Sequence, residues 1–234
     1  MDINGSSVFE APVQTPAMHR LKGKRCPWIT LLGVDGSGKS SVLAELEQTL
    51  ATTAYTGLFV LHRRPQLVYR TAVASREGSI EHYGKAPHGR FRSAVKLAAM
   101  WLDWLLGYFV LIRGRRAQGI LVVADRHSLL DMQVDPLRYR YGGSPRWVET
   151  AVRFLPMPDA VVLLDAPTAV LQSRKQELSA VQAAQLRHNY LQLVQAYPVG
   201  YIVDASQPLD RVVADVQELL AKMGKCNLVR DARA

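Results

Sequence analysis

Cysteine is nearly absent from this chain. Cys26 and Cys226 are the two present among 234 residues, and no CxxC pair occurs. That argues against a disulfide scaffold or a zinc site and suits a reducing compartment, hence a cytoplasmic location. Acidic side chains are also in short supply. Twenty Asp and Glu stand against 29 Lys and Arg, a net charge of +9, which favours anionic partners: nucleotides, nucleic acid or acidic membrane surface. The basic excess is scattered, at Arg63-Arg64, Arg113 to Arg116, Arg138, Arg140 and Arg187. No block forms, which argues against nucleic acid as the main partner. The N-terminal residues 1–25 lack the apolar core of a secretory signal. Polar and broken by Pro12 and Pro16, they read as a flexible tail.

Repeats and linkers rich in Gly or Ser are missing as well. The longest apolar run, LAAMWLDWLLGYFVLI from Leu97 to Ile112, has sixteen residues and carries Asp103 inside it. A spanning helix needs about 20 apolar residues, so the run reads as a buried core helix, with peripheral membrane contact as the alternative. At 48% hydrophobic composition, one compact domain with a sizeable core is expected. We expect it over residues 26–225, with a short C-terminal tail over 226–234.

What is present is an alternation. WITLLG (Trp28 to Gly33), GLFVLH (Gly57 to His62), GILVVAD (Gly119 to Asp125), AVVLLD (Ala160 to Asp165) and GYIVDA (Gly200 to Ala205) lack polar alternation, as buried parallel strands do. Helical stretches separate them: Ser40 to Leu50, Phe91 to Gln118, Thr168 to Leu178, Ser179 to Ala196 and Leu209 to Met223. This order predicts an α/β fold, a parallel five-stranded sheet with helices on both faces. Ligands of such sheets bind beyond the carboxyl ends of the strands.

Gly33-Val34-Asp35-Gly36-Ser37-Gly38-Lys39-Ser40 fits GxxxxGK[ST] without a mismatch. It follows a predicted strand and opens a predicted helix, the setting of a P-loop NTPase. The glycines let successive backbone N–H groups converge on an anion, and the helix N-terminus adds partial positive charge. Lys39 then reaches the β- and γ-phosphates of ATP, and Ser40 holds Mg²⁺. We take Gly33, Asp35, Gly36, Ser37, Gly38, Lys39, Ser40 and Ser41 as the ATP-binding set. Asp125 ends the ILVVAD strand, where a metal-holding carboxylate belongs; an acidic helix cap is the alternative. Arg126 follows it and can bridge donor and acceptor phosphates. Asp35 is an odd choice beside phosphates, and makes sense facing away to accept from a hydroxyl of the acceptor's sugar.

GVDGSGKSS and QGILVVADRH together resemble the thymidylate kinase family of P-loop nucleoside monophosphate kinases. PDAVVLLDAPTAVLQSRKQE is similar to that family's next strand and its approach to the lid, and QLRHNYLQLV to its R..Y helix. The match covers roughly Trp28 to Val216. The resemblance implies ATP and Mg²⁺ as cofactors, a nucleoside monophosphate such as dTMP as acceptor, and a homodimer as a state to test. It implies ATP phosphates and Mg²⁺ for Lys39 and Ser40, the acceptor sugar for Asp35, the metal for Asp125 and phosphate for Arg126. Lys39, Arg126 and Arg174 are the expected catalytic cations, Arg174 and Lys175 opening the lid; helix-surface charge is the alternative for the last two. Arg187 and Tyr190 are read as packing, with bracing of the lid or the acceptor as the alternative.

The acceptor side departs from the family. Counted back without gaps from Gln118-Gly119, the family's base-stacking aromatic falls on Trp101 and its base-reading arginine on Leu105. Leu130 and Val134 stand where polar and aromatic residues frame the nucleotide. DPLRYRYGGSP, with Arg138 and Arg140, is a Tyr- and Arg-rich stretch suited to an anionic acceptor, or an ordinary surface loop. Two other functions stay open: a same-fold kinase for a sugar or glycan-pathway intermediate, and a nucleotide-binding module without turnover.

Overall fold

The computed structural model describes residues 25–49, 55–62, 64–68 and 85–223. The terminal tails expected over 1–25 and 226–234 lie outside the described residues, apart from Arg25. Five strands form one parallel sheet: β1 (Trp28–Leu32), β2 (Gly57–His62), β3 (Ile120–Asp125), β4 (Ala160–Asp165) and β5 (Gly200–Asp204), in the order β2-β3-β1-β4-β5. The apolar runs become strands because every residue of β1 is buried and β3 and β4 nearly match it, as the central strands of a sheet covered on both faces must be.

The expected helices are present with small changes. α1 runs Lys39–Thr49. α2 (Arg90–Gly107) widens into a π turn at Tyr108–Ile112 and continues as α3 (Arg113–Ala117). α7 (Ala180–Ala196) begins at a capping box in which the Ser179 side chain and the Gln182 side chain each meet the other's backbone N–H, satisfying two donors that a helix start leaves open. α8 is Leu209–Met223. The helix expected over Thr168 to Leu178 stops early: α6 ends at Arg174, and Lys175 is extended. Two helices went unforeseen, α4 (Ser128–Val134) and α5 (Pro145–Arg153), the latter with Ser144 ahead of a proline at its first position, a favoured helix start.

Trp28 of β1 stacks on Trp104 of α2, with ring centres 6.2 Å apart, and Trp104 stacks in turn on His127 at 3.7 Å. That buried ladder ties α2 to the end of β3. Cys26, fully buried just ahead of β1, is disulfide-bonded; the chain's other cysteine, Cys226, lies outside the described residues.

Candidate active site

The P-loop leaves the carboxyl end of β1, the central strand. Gly33 and Gly36 both have positive φ, 147° and 89°. A Cβ at Gly33 would fall 2.7 Å from the Leu164 carbonyl oxygen, and one at Gly36 2.8 Å from that of Leu171, so the turn tolerates only glycine there. Lys39 folds back under the loop. Its Nζ donates to the carbonyls of Gly33 (2.8 Å) and Val34 (2.9 Å) and to Ser37 Oγ (3.0 Å). Burial, helped by the charge of Arg126, holds this ammonium well below the usual lysine range, and the carboxylates of Asp35, Asp125 and Asp131 offset that only in part. A buried ammonium bonded to neutral oxygens alone fits the arrival of a polyanion. Ser40 and Ser41 are exposed at the start of α1.

Beside the loop, on the β3 side, two guanidiniums meet two carboxylates. Arg126 Nη2 donates to Asp35 Oδ1 at 2.7 Å, and Nη1 to Asp131 at 3.1 Å and to the Tyr190 hydroxyl at 2.9 Å. The Tyr190 hydroxyl in turn donates to Asp131, and the Tyr139 hydroxyl donates to the other oxygen of that carboxylate at 3.0 Å. Arg138 pairs with the second oxygen of Asp35 and lies 3.8 Å from Asp131. Burial alone would push both carboxyls up; the two arginines outweigh it and hold Asp35 and Asp131 below the usual carboxylate range. Burial would likewise lower Arg126, and Asp131 raises it instead. Arg126 reaches both partners because its backbone is left-handed, φ 69°, which is uncommon for a residue other than glycine.

Asp125 pairs in register with His62 of the edge strand β2, whose Nδ1 lies 3.5 Å from its carboxylate. Strap residues 64–68 follow β2. Together His62, Arg64, Pro65, Gln66, Leu67 and Leu111 line an open groove of about 600 Å³. Trp101 and Leu105 do not line it; both are half-buried against the core. Trp104 is the tryptophan of α2 packed into the core, its Nε1 donating to Ser128 Oγ at 2.9 Å. Leu130 and Val134 are buried on α4.

On the other side, toward β4 and β5, α6 leans on the P-loop at Gly36. Arg174 donates to the Ala205 carbonyl at 2.8 Å, and exposed Lys175 pairs with Glu177. Neither makes a bond to the P-loop among the described residues. Arg187 binds Asp165 through two bonds of 2.7 Å. Of the residues read from sequence, then, Asp35, Lys39, Asp125 and Arg126 converge at the strand ends, while Trp101 and Arg174 stand apart. Asp131 was missed, and Arg138 and Tyr139, read as part of a stretch suited to an anionic acceptor, were not tied to Asp35 or Asp131. Arg126 and Asp131, five residues apart with Arg126 left-handed and outside α4, share no regular helical spacing, so their pairing left no periodic signal. Tyr190, expected as packing, is fully buried and also bonds Arg126.

No family model matches the chain. Curated relatives do. A probable thymidylate kinase of Halorubrum lacusprofundi is 30% identical over 83% of this chain and 98% of its own length. One of Methanoculleus marisnigri is 31% identical over 79% of this chain and 89% of itself, and one of Pyrobaculum aerophilum 26% identical over 84% and 97%. With a P-loop on the central strand, an Asp-Arg pair at the next and near full-length similarity to these proteins, the chain belongs to the thymidylate kinase family.

Proposed function

We propose that this protein moves the γ-phosphoryl of ATP to a nucleoside monophosphate, dTMP being the acceptor that its relatives' names point to. The observation that carries the reading is the bracketing of Asp35, inside the P-loop, by Arg126 and Arg138. A loop that only grips a triphosphate has no use for a carboxylate and two arginines on one flank. A loop that must bring a second phosphate in line with the first does.

In this reading the P-loop N–H groups and Lys39 hold the donor's β- and γ-phosphates. Lys39 exchanges its bonds to Gly33, Val34 and Ser37 for phosphate oxygens. Arg126 and Arg138 draw the acceptor phosphate to the β3 side and balance the charge that develops between donor and acceptor. Asp35 orients both guanidiniums, one on each oxygen, and a carboxylate oxygen has a second lone pair with which to accept from the acceptor sugar's hydroxyl. Mg²⁺ neutralises the transferring phosphates when bound, and Ser40 and Asp125 are the residues to hold it. Arg174 and Lys175 sit on the donor side and are the lid cations of this scheme.

The partners follow. A cytoplasmic location suits an enzyme that uses ATP and a nucleoside monophosphate, although the bond at Cys26 is of a kind rare in that compartment. The stretch Arg90–Ala117 is long and apolar enough to cross a membrane, yet its inner face carries Leu97, Met100, Trp104 and Ile112 into the core. Its outer stripe of Phe91, Val95, Leu102, Leu106, Phe109 and Val110 is exposed and fits a second copy of the chain in a homodimer.

Leu105 favours a second reading, a kinase for a sugar or glycan-pathway phosphate, because no arginine stands there to read a base. A coupled ADP assay across nucleoside monophosphates and phosphosugars tests both. ADP formed only on addition of a nucleoside monophosphate supports the first reading. ADP formed only with a phosphosugar replaces it, and no acceptor-dependent ADP leaves a nucleotide-binding module.

A further inference from the structure

Asp103 interrupts an otherwise apolar stretch of α2, and it is fully buried. Its carboxylate is filled by backbone. Oδ2 accepts the N–H of Gln66 at 2.9 Å, while Oδ1 accepts those of Leu67 at 2.5 Å and Val68 at 2.9 Å. Three successive N–H groups converge because Gln66 is left-handed, φ 59°, so the strap forms an anion nest whose anion is a side chain of the same protein. One helical turn on, Gly107 leaves room for Pro65: a Cβ there would fall 2.1 Å from Pro65 Cγ. Asp103 and Gly107 share a face of α2 at i, i+4 spacing. Together they cut a notch that seats residues 64–68.

The strap leads directly from His62, opposite Asp125, and its residues Arg64, Pro65, Gln66 and Leu67 make most of the groove wall at the end of β2. Arg64, though cationic, is only 4% exposed. A buried charge on an irregular segment needs that segment held still. We propose that Asp103 is a positioning residue for the phosphate acceptor, fixing the strap so that Arg64 and Gln66 keep the acceptor side of the site in shape. The inference rests on the kinase reading above, and it separates acceptor binding from ATP binding, since the Asp103 carboxylate bonds the strap while the P-loop's Lys39 bonds the loop itself.

The test compares wild type with Asp103→Ala, Asp103→Asn and Gly107→Ala. KM is measured for ATP and for the best nucleoside monophosphate, with thermal stability alongside. Asp103→Ala should raise the acceptor KM by about tenfold or more, as a small misplacement of binding groups can, and leave the ATP KM within about twofold. Asp103→Asn keeps one acceptor oxygen and should fall between. Gly107→Ala favours the helix intrinsically but pushes Pro65 away, so it should raise the acceptor KM in a protein that still folds. Parallel rises in both KM values, or an unchanged acceptor KM in Gly107→Ala and Asp103→Asn, overturn the proposal while leaving the kinase reading intact. Absence of turnover by wild type with every nucleoside monophosphate overturns the kinase reading and this proposal with it.

Discussion

Arg126 and Asp131 lie five residues apart, yet the guanidinium of one reaches the carboxylate of the other at 3.1 Å. A left-handed residue between β3 and α4 makes that possible. The pair is buried, and Arg138, Tyr139 and Tyr190 close around the same carboxylate. An arrangement so enclosed holds two cations in place only while Asp131 is ionised.

Asp131→Asn should therefore destabilise the fold near neutral pH by about 3–5 kcal/mol, the range for breaking a buried pair from one side. The sign with pH follows from the shift. The folded-state carboxyl lies below its ordinary value of 3.8, so its stabilisation is present above that value and is lost as pH falls through the folded value. Urea unfolding of wild type and variant at pH 7 and near pH 3 measures this. The gap should shrink in acid; a gap independent of pH would mean that shape, not charge, is what Asp131 supplies.

Lys39→Ala should abolish turnover. It removes the ammonium nearest the donor's β- and γ-phosphates, and a loss of about 10³-fold, roughly 4 kcal/mol of barrier, is in range. Steady-state ADP formation by a folded variant is the measurement, and turnover equal to wild type would overturn the assigned role of the loop.

Much of this was legible in the sequence, for a physical reason. Buried parallel strands are continuous apolar runs, and the chain has five, so sheet and P-loop could be placed within a residue or two of where they lie. Helix α4 escaped because SLLDMQV is short and buries almost every residue, so it shows no polar face. Asp131 escaped with it, and so did its approach to Arg138, which depends on α4 and on the turn at Leu137–Tyr139 that follows. Tyr190 was read as packing because a buried tyrosine looks the same in sequence whether or not its hydroxyl has a charged partner. Asp103 looked like an interruption of an apolar helix; its three backbone partners come from a segment 35 to 37 residues earlier.

Arg126→Lys should lower kcat by about 10²- to 10³-fold and change ATP affinity little. A lysine keeps the charge but cannot reach Asp35, Asp131 and an incoming phosphate at once, and cations that act on developing charge weigh on the transition state. Single-turnover rates with ATP affinity measured separately decide it. An unchanged kcat at equal ATP affinity would leave Arg126 a purely structural group.

Acceptor selectivity is the last expectation. Trp104 is committed to the core by its stack on His127 and its bond to Ser128, and Trp101, half-buried, does not line the groove at the end of β2, so neither tryptophan of α2 offers a stacking face there. Discrimination between bases comes from buried hydrogen-bond partners, and an apolar side chain such as Leu105 supplies none. Thymidylate activity should therefore be weak or poorly selective, and another acceptor can do better. Competition among nucleoside monophosphates, with kcat/KM for each, measures this directly. A preference for thymidylate on the order of a hundredfold over uridylate and every other acceptor would mean that a different residue reads the base. Gln66 on the groove wall and Arg92, Arg138 and Arg140 are then the substitutions to make. Among the four, Arg138 is already bound to Asp35 and the Arg140 side chain donates to the Ala86 carbonyl, which leaves Gln66, on the groove wall, and Arg92, exposed on α2, as the first to replace.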